Sequence, residues 1–147
     1  MSGLFYGENL FQELLILFAS SFVSATLFPG GSELLLIYYL KNNPADLWLY
    51  FSSVTLGNSL GALLTYFMGY YLHWGREKAA GKHHKAWLFC QRYGAPSLLL
   101  SWLPIVGDLL PLAAGWLKLA ILPSILLIVT GKALRYWVIV SSSLYLL

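Results

Sequence analysis

Four charged side chains lie inside otherwise apolar segments, and they are the residues best suited to chemistry. Two are acids, Glu33 and Asp108, and two are bases, Lys132 and Arg135. A charge at the centre of a bilayer costs about 2.5 to 3.5 kcal/mol on insertion scales, so such charges pair or line water. We expect the acids to exchange protons and the bases to hold a lipid phosphate or a counter-carboxylate. The alternative is an ion-pair network that only fixes the fold.

The composition indicates an integral membrane protein with one all-α domain, residues 1–147. Of its 147 residues, 59% are hydrophobic and 10% are charged, whereas soluble domains average about 25% charged residues. So few charges cannot cover a water-facing surface. The one cysteine, Cys90, excludes an internal disulfide.

A first unit, at about residues 10–72, must position Glu33. Residues 14–28 are apolar but short, because a spanning helix needs about 20 residues. Three residues, Pro29, Gly30 and Gly31, then break the run, and a second short run covers residues 33–40. The pattern predicts a re-entrant helical hairpin. One long kinked helix through residue 40 is the alternative.

Residues 47–72 are long enough to span the membrane and complete this unit. They contain Gly57 and Gly61, four residues apart, which is the small-xxx-small pattern of closely packed helices. Asn58 lies between them and is expected to bridge helices or to contribute to a site.

Residues 75–92 are basic and separate the first unit from the second. The spacing of Lys78, Lys82 and Lys85 predicts an amphipathic helix on the cytoplasmic leaflet. The adjacent His83 and His84 would point to different faces of a helix, which disfavours a metal site.

The second unit, residues 94–147, repeats the first. Residues 102–110 align with 27–35, and residues 129–135 align with 55–61, at offsets of about 75 and 74 residues. Pro104 and Gly107 supply the second break, and Asp108 takes the place of Glu33. A unit of one hairpin and one spanning helix crosses the membrane once, so the repeat is expected to be inverted, as in many transporters.

Several function classes lack support in the sequence. No nucleophile–base pair, phosphate-binding loop or metal-ligand cluster is evident. We therefore expect neither enzymatic activity nor a cofactor, and no nucleic acid as a partner.

Four motifs give the chain a family resemblance: "SSFVSATLFPGGSE", "GNSLGALLTYFMG", "RYGAPSLLLSWLPIVGDLLPLAAGW" and "GKALRY". Over roughly residues 15–140 the chain resembles the DedA membrane proteins, in particular their YqaA-like branch. The resemblance implies two opposed re-entrant hairpins, a bacterial inner-membrane location and a link to lipid movement and the proton motive force. It assigns Glu33 to the family's acid after the first break.

The chain departs from the family pattern at three positions. Ala62 stands where many members carry an acid, and Ser101 and Gly107 stand where many carry arginines. Asp108, Lys132 and Arg135 are expected to supply those charges from other positions.

The sequence and this resemblance together predict a multi-pass inner-membrane lipid transporter or flippase, either coupled to protons or not. The resemblance implies a phosphate-bearing lipid as the cargo, either undecaprenyl phosphate or a phospholipid. A proton or cation antiporter and a non-transporting assembly protein are the alternatives. The small chain encloses little cavity alone, which favours a homodimer.

Overall fold

A computed structural model of the protein describes residues 2–26, 31–72, 84–103 and 106–146. The described residues are helical and contain no strand. The α-helices are α1 (Ser2–Thr26), α2 (Gly31–Asn42), α3 (Leu47–Leu72), α4 (His84–Tyr93), α5 (Val106–Trp116) and α6 (Ile121–Leu146); Pro44–Asp46 and Ala95–Trp102 are 3₁₀-helices. The predicted helix breakers Pro29, Gly30 and Pro104 lie outside the described residues, as does most of the basic segment.

Three described helices are long and apolar enough to cross a membrane: Phe5–Thr26, Pro44–Tyr71 and Ile121–Leu146. The expected half-length first helix is therefore wrong, since α1 begins at Ser2 rather than at residue 14. The helix continues through an acid because Glu13 accepts a hydrogen bond from the hydroxyl of Tyr50. Pairing of this kind makes a carboxylate tolerable in an apolar setting.

Helices α1 and α3 run parallel and pack closely through the predicted glycines. A Cβ on Gly61 would lie 2.6 Å from the carbonyl oxygen of Phe22, and Gly57 is equally close to α1. Asn58 donates a hydrogen bond to the carbonyl oxygen of Ser21 at 3.1 Å. Gly57 and Gly61 thus lie in a close contact between α1 and α3, and Asn58 bridges the two helices.

Helix α2 turns back along α1, so the two form a hairpin rather than one kinked helix. Leu36 and Leu40 pack in one buried cluster with Leu17 of α1. After α2, Asp46 accepts a hydrogen bond from Tyr6 near the start of α1. Both ends of the hairpin therefore lie at one end of the bundle.

Helix α6 runs antiparallel to α3. The ring centroids of Trp48 and Trp137 lie 6.0 Å apart, and at the other end the Tyr66 hydroxyl donates to the carbonyl oxygen of Leu119 at 2.6 Å. Leu144 and Tyr145 share a pocket with Trp48, so both chain ends and the Pro44–Asp46 turn lie at the same end of the bundle.

The helix boundaries repeat at the offsets expected from the sequence. Helices α3 and α6 both have 26 residues and begin 74 positions apart, at Leu47 and Ile121. Helices α2 and α5 begin 75 positions apart, at Gly31 and Val106. The elements that precede α2 and α5 differ, because α1 has 25 residues whereas Ala95–Trp102 is an eight-residue 3₁₀-helix.

Candidate functional site

The four intramembrane charges converge on one network. Arg135 donates to Oε1 of Glu33 from Nε, at 2.8 Å, and from Nη2. Its Nη1 lies 3.3 Å and 3.4 Å from the two carboxylate oxygens of Asp108. Lys132 donates to Oδ1 of Asp108. Two acids and two bases balance, so the network has no formal net charge.

Burial is uneven across this network. The side chains of Lys132 and Arg135 are 0% and 5% exposed, whereas those of Asp108 and Glu33 are 13% and 29% exposed. The cations are thus held in the protein, and Glu33 is the member most open to its surroundings. A proton or a ligand reaches the network most easily at the Glu33–Arg135 pair.

Two helix N-termini meet at these charges. Glu33 lies in the first turn of α2, and Asp108 lies in the first turn of α5. From there the helices run to opposite ends of the bundle: Leu40 packs beside Tyr50, whereas a Cβ on Gly115 would contact Tyr66 at the other end of α3. Helix N-termini carry partial positive charge, which stabilises carboxylates and other anions beside them.

A hydrogen bond missed in the sequence lies next to the ion pair. The hydroxyls of Ser32 and Tyr136 are 3.0 Å apart, and each residue is the direct neighbour of an ion-pair member, Glu33 or Arg135. Both residues are buried. The only signal in the sequence is this adjacency, which does not specify a contact between residues 104 positions apart.

A groove leads away from the ion pair along α6. Its polar end is a pocket of about 200 Å³ lined by Glu33, Trp102, Arg135, Val138 and Ile139. The next pocket, of about 280 Å³, shares two of these residues and is lined by Ile37, Val138, Ile139, Ser142, Ser143 and Leu146. We call the two together the α6 groove. It joins a charged end to an apolar end.

The other predicted residues have structural positions. Gly57, Asn58 and Gly61 lie in the α1–α3 contact. A Cβ on Gly107 would lie 2.6 Å from the carbonyl oxygen of Ser101, so this glycine allows α5 to pack tightly against the preceding 3₁₀-helix. Gly31 begins α2 and has no such neighbour within 4 Å.

The described residues offer little other reactive chemistry. No group of three His, Cys, Asp or Glu side chains among them could hold a metal ion. Cys90 on α4 is buried and accepts a hydrogen bond from Ser97 at 3.3 Å. Burial raises the pKa of this thiol, and the Ser97 hydrogen bond opposes that shift only in part. A thiol in such surroundings is a poor nucleophile.

This architecture defines the class of the protein: an all-helical membrane protein with a charged network between its helices. Comparison with known proteins identifies the family. The chain is 46% identical over 129 residues to inner membrane protein YqaA of Escherichia coli (strain K12), covering 84% of this chain and 85% of that protein. The YqaA protein of Shigella flexneri matches to the same extent.

An uncharacterized protein of Haemophilus influenzae is 39% identical over 145 residues, covering 90% of this chain and 89% of its own length. No family model and no solved structure matches the chain. The chain belongs to the DedA family, in its YqaA-like branch, and it is a multi-pass protein of the bacterial inner membrane.

Proposed function

We propose that the protein is a non-enzymatic transporter that moves a phosphate-bearing lipid between leaflets, either undecaprenyl phosphate or a phospholipid. The observation that carries the proposal is the α6 groove, which begins at Arg135 and becomes apolar toward Leu146. A lipid has the same division into an anionic head and an apolar chain. Few other ligands need both ends in one groove.

The depth of the groove fits a lipid in transit. Helix α6 covers residues 121–146, so its centre falls between Lys132 and Arg135. From Arg135 to Leu146 the helix rises about 16 Å, which is close to half of the roughly 30 Å hydrocarbon core. A phosphate at Arg135 would be near the midplane, with its chain along the groove in one leaflet.

An anion can bind to Arg135 only if a carboxylate side chain of the network gives up its bond to the guanidinium. Because the network is neutral, a phosphate must compete with the carboxylate of Glu33 for the guanidinium. Protonation of Glu33 removes that competitor. The other charged or titratable groups at this point are Asp108, Lys132 and Tyr136, and Lys132 keeps Asp108 paired. Proton uptake at Glu33 and head-group binding at Arg135 would thereby be coupled.

An inverted repeat would supply the movement. The equal spacing of helix boundaries and the opposite directions of α2 and α5 support two hairpins that enter from opposite sides. Exposure of the site to one side and then the other follows if the hairpins alternate against α3 and α6. With the basic segment at the cytoplasmic surface, the groove would open to the outer leaflet. The predicted homodimer stays a prediction.

The direct test is a flipping assay in proteoliposomes with labelled polyprenyl phosphate and labelled phospholipid. Wild type, Arg135→Ala and Glu33→Gln are compared, with Arg92→Ala as a control because Arg92 is an exposed cation on α4. We expect wild type and the control to move one lipid and Arg135→Ala to move none. Absence of lipid movement by wild type, with and without a pH gradient, would contradict the proposal.

A second candidate is a proton or cation antiporter. The pocket beside Glu33 favours this candidate, because its volume of about 200 Å³ is enough for an ion without the apolar part of the groove. This candidate predicts cation-driven pH changes in vesicles that contain no transportable lipid. The α6 groove would then tolerate bulky substitutions.

A further inference from the structure

The ammonium group of Lys132 has fewer acceptors than it needs. Its side chain is 0% exposed, and its one hydrogen-bond acceptor among the described residues is Oδ1 of Asp108. An ammonium has three N–H donors. A buried donor left without a partner is costly, above all on a charged group.

Helix α3 carries buried oxygen atoms that lack hydrogen-bond donors among the described residues. Three of its buried oxygens have no hydrogen-bond donor within the described part of the chain: Oγ1 of Thr55, Oδ1 of Asn58 and Oγ of Ser59. The residues are 8%, 1% and 3% exposed. Because buried polar atoms nearly always have a partner, three orphans within five residues indicate water that completes their bonds.

Two of these oxygens, those of Thr55 and Ser59, lie on the face of α3 that is turned toward the helix carrying Lys132, whereas the Asn58 amide bonds to Ser21 of α1. Intervals of seven, four and seven residues separate Trp48, Thr55, Ser59 and Tyr66 along α3. All four side chains therefore share one face of the helix. Both aromatic residues contact the chain at or beside α6, through Trp137 and Leu119 respectively.

The hydroxyls of α3 and the ammonium of Lys132 also lie at the same depth in the bundle. Phe51 lies beside Trp137, with ring centroids 6.1 Å apart, and Tyr66 bonds to Leu119. Thr55 and Ser59 lie between these two contacts on α3. Because the helices are antiparallel, Thr55 to Ser59 are level with about residues 127–132 of α6. A helical lysine points toward the N-terminus of its helix, which directs the ammonium of Lys132 into this range.

We propose that Lys132, Thr55 and Ser59 form a buried hydration site between α3 and α6. Its ligand is water, which accepts from the ammonium and donates to the two hydroxyl oxygens. A buried water makes about three hydrogen bonds, and these groups supply both kinds of partner. None of these three residues lines the α6 groove.

The site gives Lys132 solvation that does not depend on Asp108. When Asp108 takes up a proton or moves with α5, the ammonium keeps acceptors from bound water. The network can then lose one contact without leaving a bare buried cation, a state that is strongly destabilising. Water is expected at Lys132 whichever species the protein transports.

Solid-state NMR of the full chain in lipid bilayers tests the site with water itself as the probe. Lysine is labelled with ¹⁵N, and magnetisation transfer from water to each ammonium is measured. The signal of Lys132 is the one lost in Lys132→Met. We expect direct transfer from water to Lys132 in wild type, although the residue is buried.

The variants locate the water. Thr55→Val with Ser59→Ala removes two of the orphan hydroxyls and should lower the transfer to Lys132 by more than half. Thr65→Val is the matched control, because Thr65 lies on the same helix and its hydroxyl bonds to the carbonyl of Gly61 at 3.0 Å. If the double variant loses the fold, seen as shifted Lys41 and Lys118 signals, Ser59→Ala alone replaces it. No transfer in wild type, or equal transfer in the α3 variants, overturns the site.

Discussion

Glu33 and Asp108 accept hydrogen bonds from the same guanidinium group. Nε of Arg135 lies 2.8 Å from Oε1 of Glu33, and Nη1 lies 3.3 Å from Oδ1 of Asp108. The acids begin helices that start 75 positions apart and run to opposite ends of the bundle. One cation on α6 therefore joins the first turns of α2 and α5.

Replacement of Arg135 separates its role in function from its role in folding. We expect Arg135→Ala to abolish lipid flipping while the protein stays in the membrane. The fold should survive because Asp108 keeps Lys132 and because Glu33 is 29% exposed. Flipping is measured in proteoliposomes, and abundance is measured in isolated membranes.

Arg135→Lys is the matched comparison for this site. Lysine keeps the charge but cannot present a planar fork to two carboxylates. It should retain membrane abundance and lose most of the flipping. Disappearance of both variants from the membrane would instead favour the interpretation that the network only fixes the fold.

The proposed coupling makes a prediction about Glu33. A proton on Glu33 would remove the carboxylate that competes for Arg135, so under this proposal binding of an anionic lipid should tighten as pH falls and weaken as pH rises. A phosphodiester lipid is the probe, because its phosphate keeps one negative charge throughout such a titration. Glu33→Gln is neutral at every pH, and its binding should be tight and independent of pH.

Binding can be measured by the quenching of a labelled lipid in detergent micelles. Asp108→Asn is the comparison, since Asp108 also faces Arg135 but is held by Lys132. It should keep the pH dependence of wild type. A pH dependence that persists in Glu33→Gln would exclude Glu33 as the coupling acid.

Much of the fold could be predicted from the apolar pattern. Residues 47–72 were expected to span and form α3 with the same bounds, and residues 121–147 form α6 up to Leu146. These runs are long and lack breaks within their cores, so length and hydropathy suffice. The start of α1 could not be predicted in this way. Glu8 and Glu13 interrupt its pattern, and the bond from Tyr50 that accommodates Glu13 comes from 37 residues away.

The network was partly predictable for a related reason. Expensive intramembrane charges must find partners, and the three-residue spacing of Lys132 and Arg135 aims both at one side of their helix. The balance of two acids and two bases, and the alignment of residues 102–110 with 27–35, indicated Glu33 and Asp108 as their partners. The Ser32–Tyr136 bond and the α6 groove depend on how α2 meets α6, and sequence spacing does not give that angle.

The α1–α3 contact should be sensitive to one methyl group. A Cβ at position 61 would lie 2.6 Å from the carbonyl oxygen of Phe22 and 2.7 Å from Cβ of Ala25, so Gly61→Ala must push the helices apart. Overpacking of this kind costs about 1–3 kcal/mol. We expect a lower midpoint of unfolding in a denaturing detergent titration.

The control for this packing effect lies on the same helix pair. Gly7→Ala adds the same methyl group on α1, where no atom lies within 4 Å. Alanine is a better helix former than glycine by about 1 kcal/mol. Its midpoint should therefore stay the same or rise. Equal losses in both variants would argue against close packing at Gly61.

The α6 groove predicts where bulk blocks transport. Val138 lines both pockets of the groove and is 49% exposed, so Val138→Trp fills the path without disturbing the core. Leu126→Trp is the matched control, since Leu126 is 60% exposed on α6 and lines neither pocket of the groove. We expect Val138→Trp to lose most lipid flipping, with unfolding midpoints like wild type in both proteins. Normal flipping by Val138→Trp would remove the groove from the lipid path, and a loss in both variants would point to a general effect of bulk on α6.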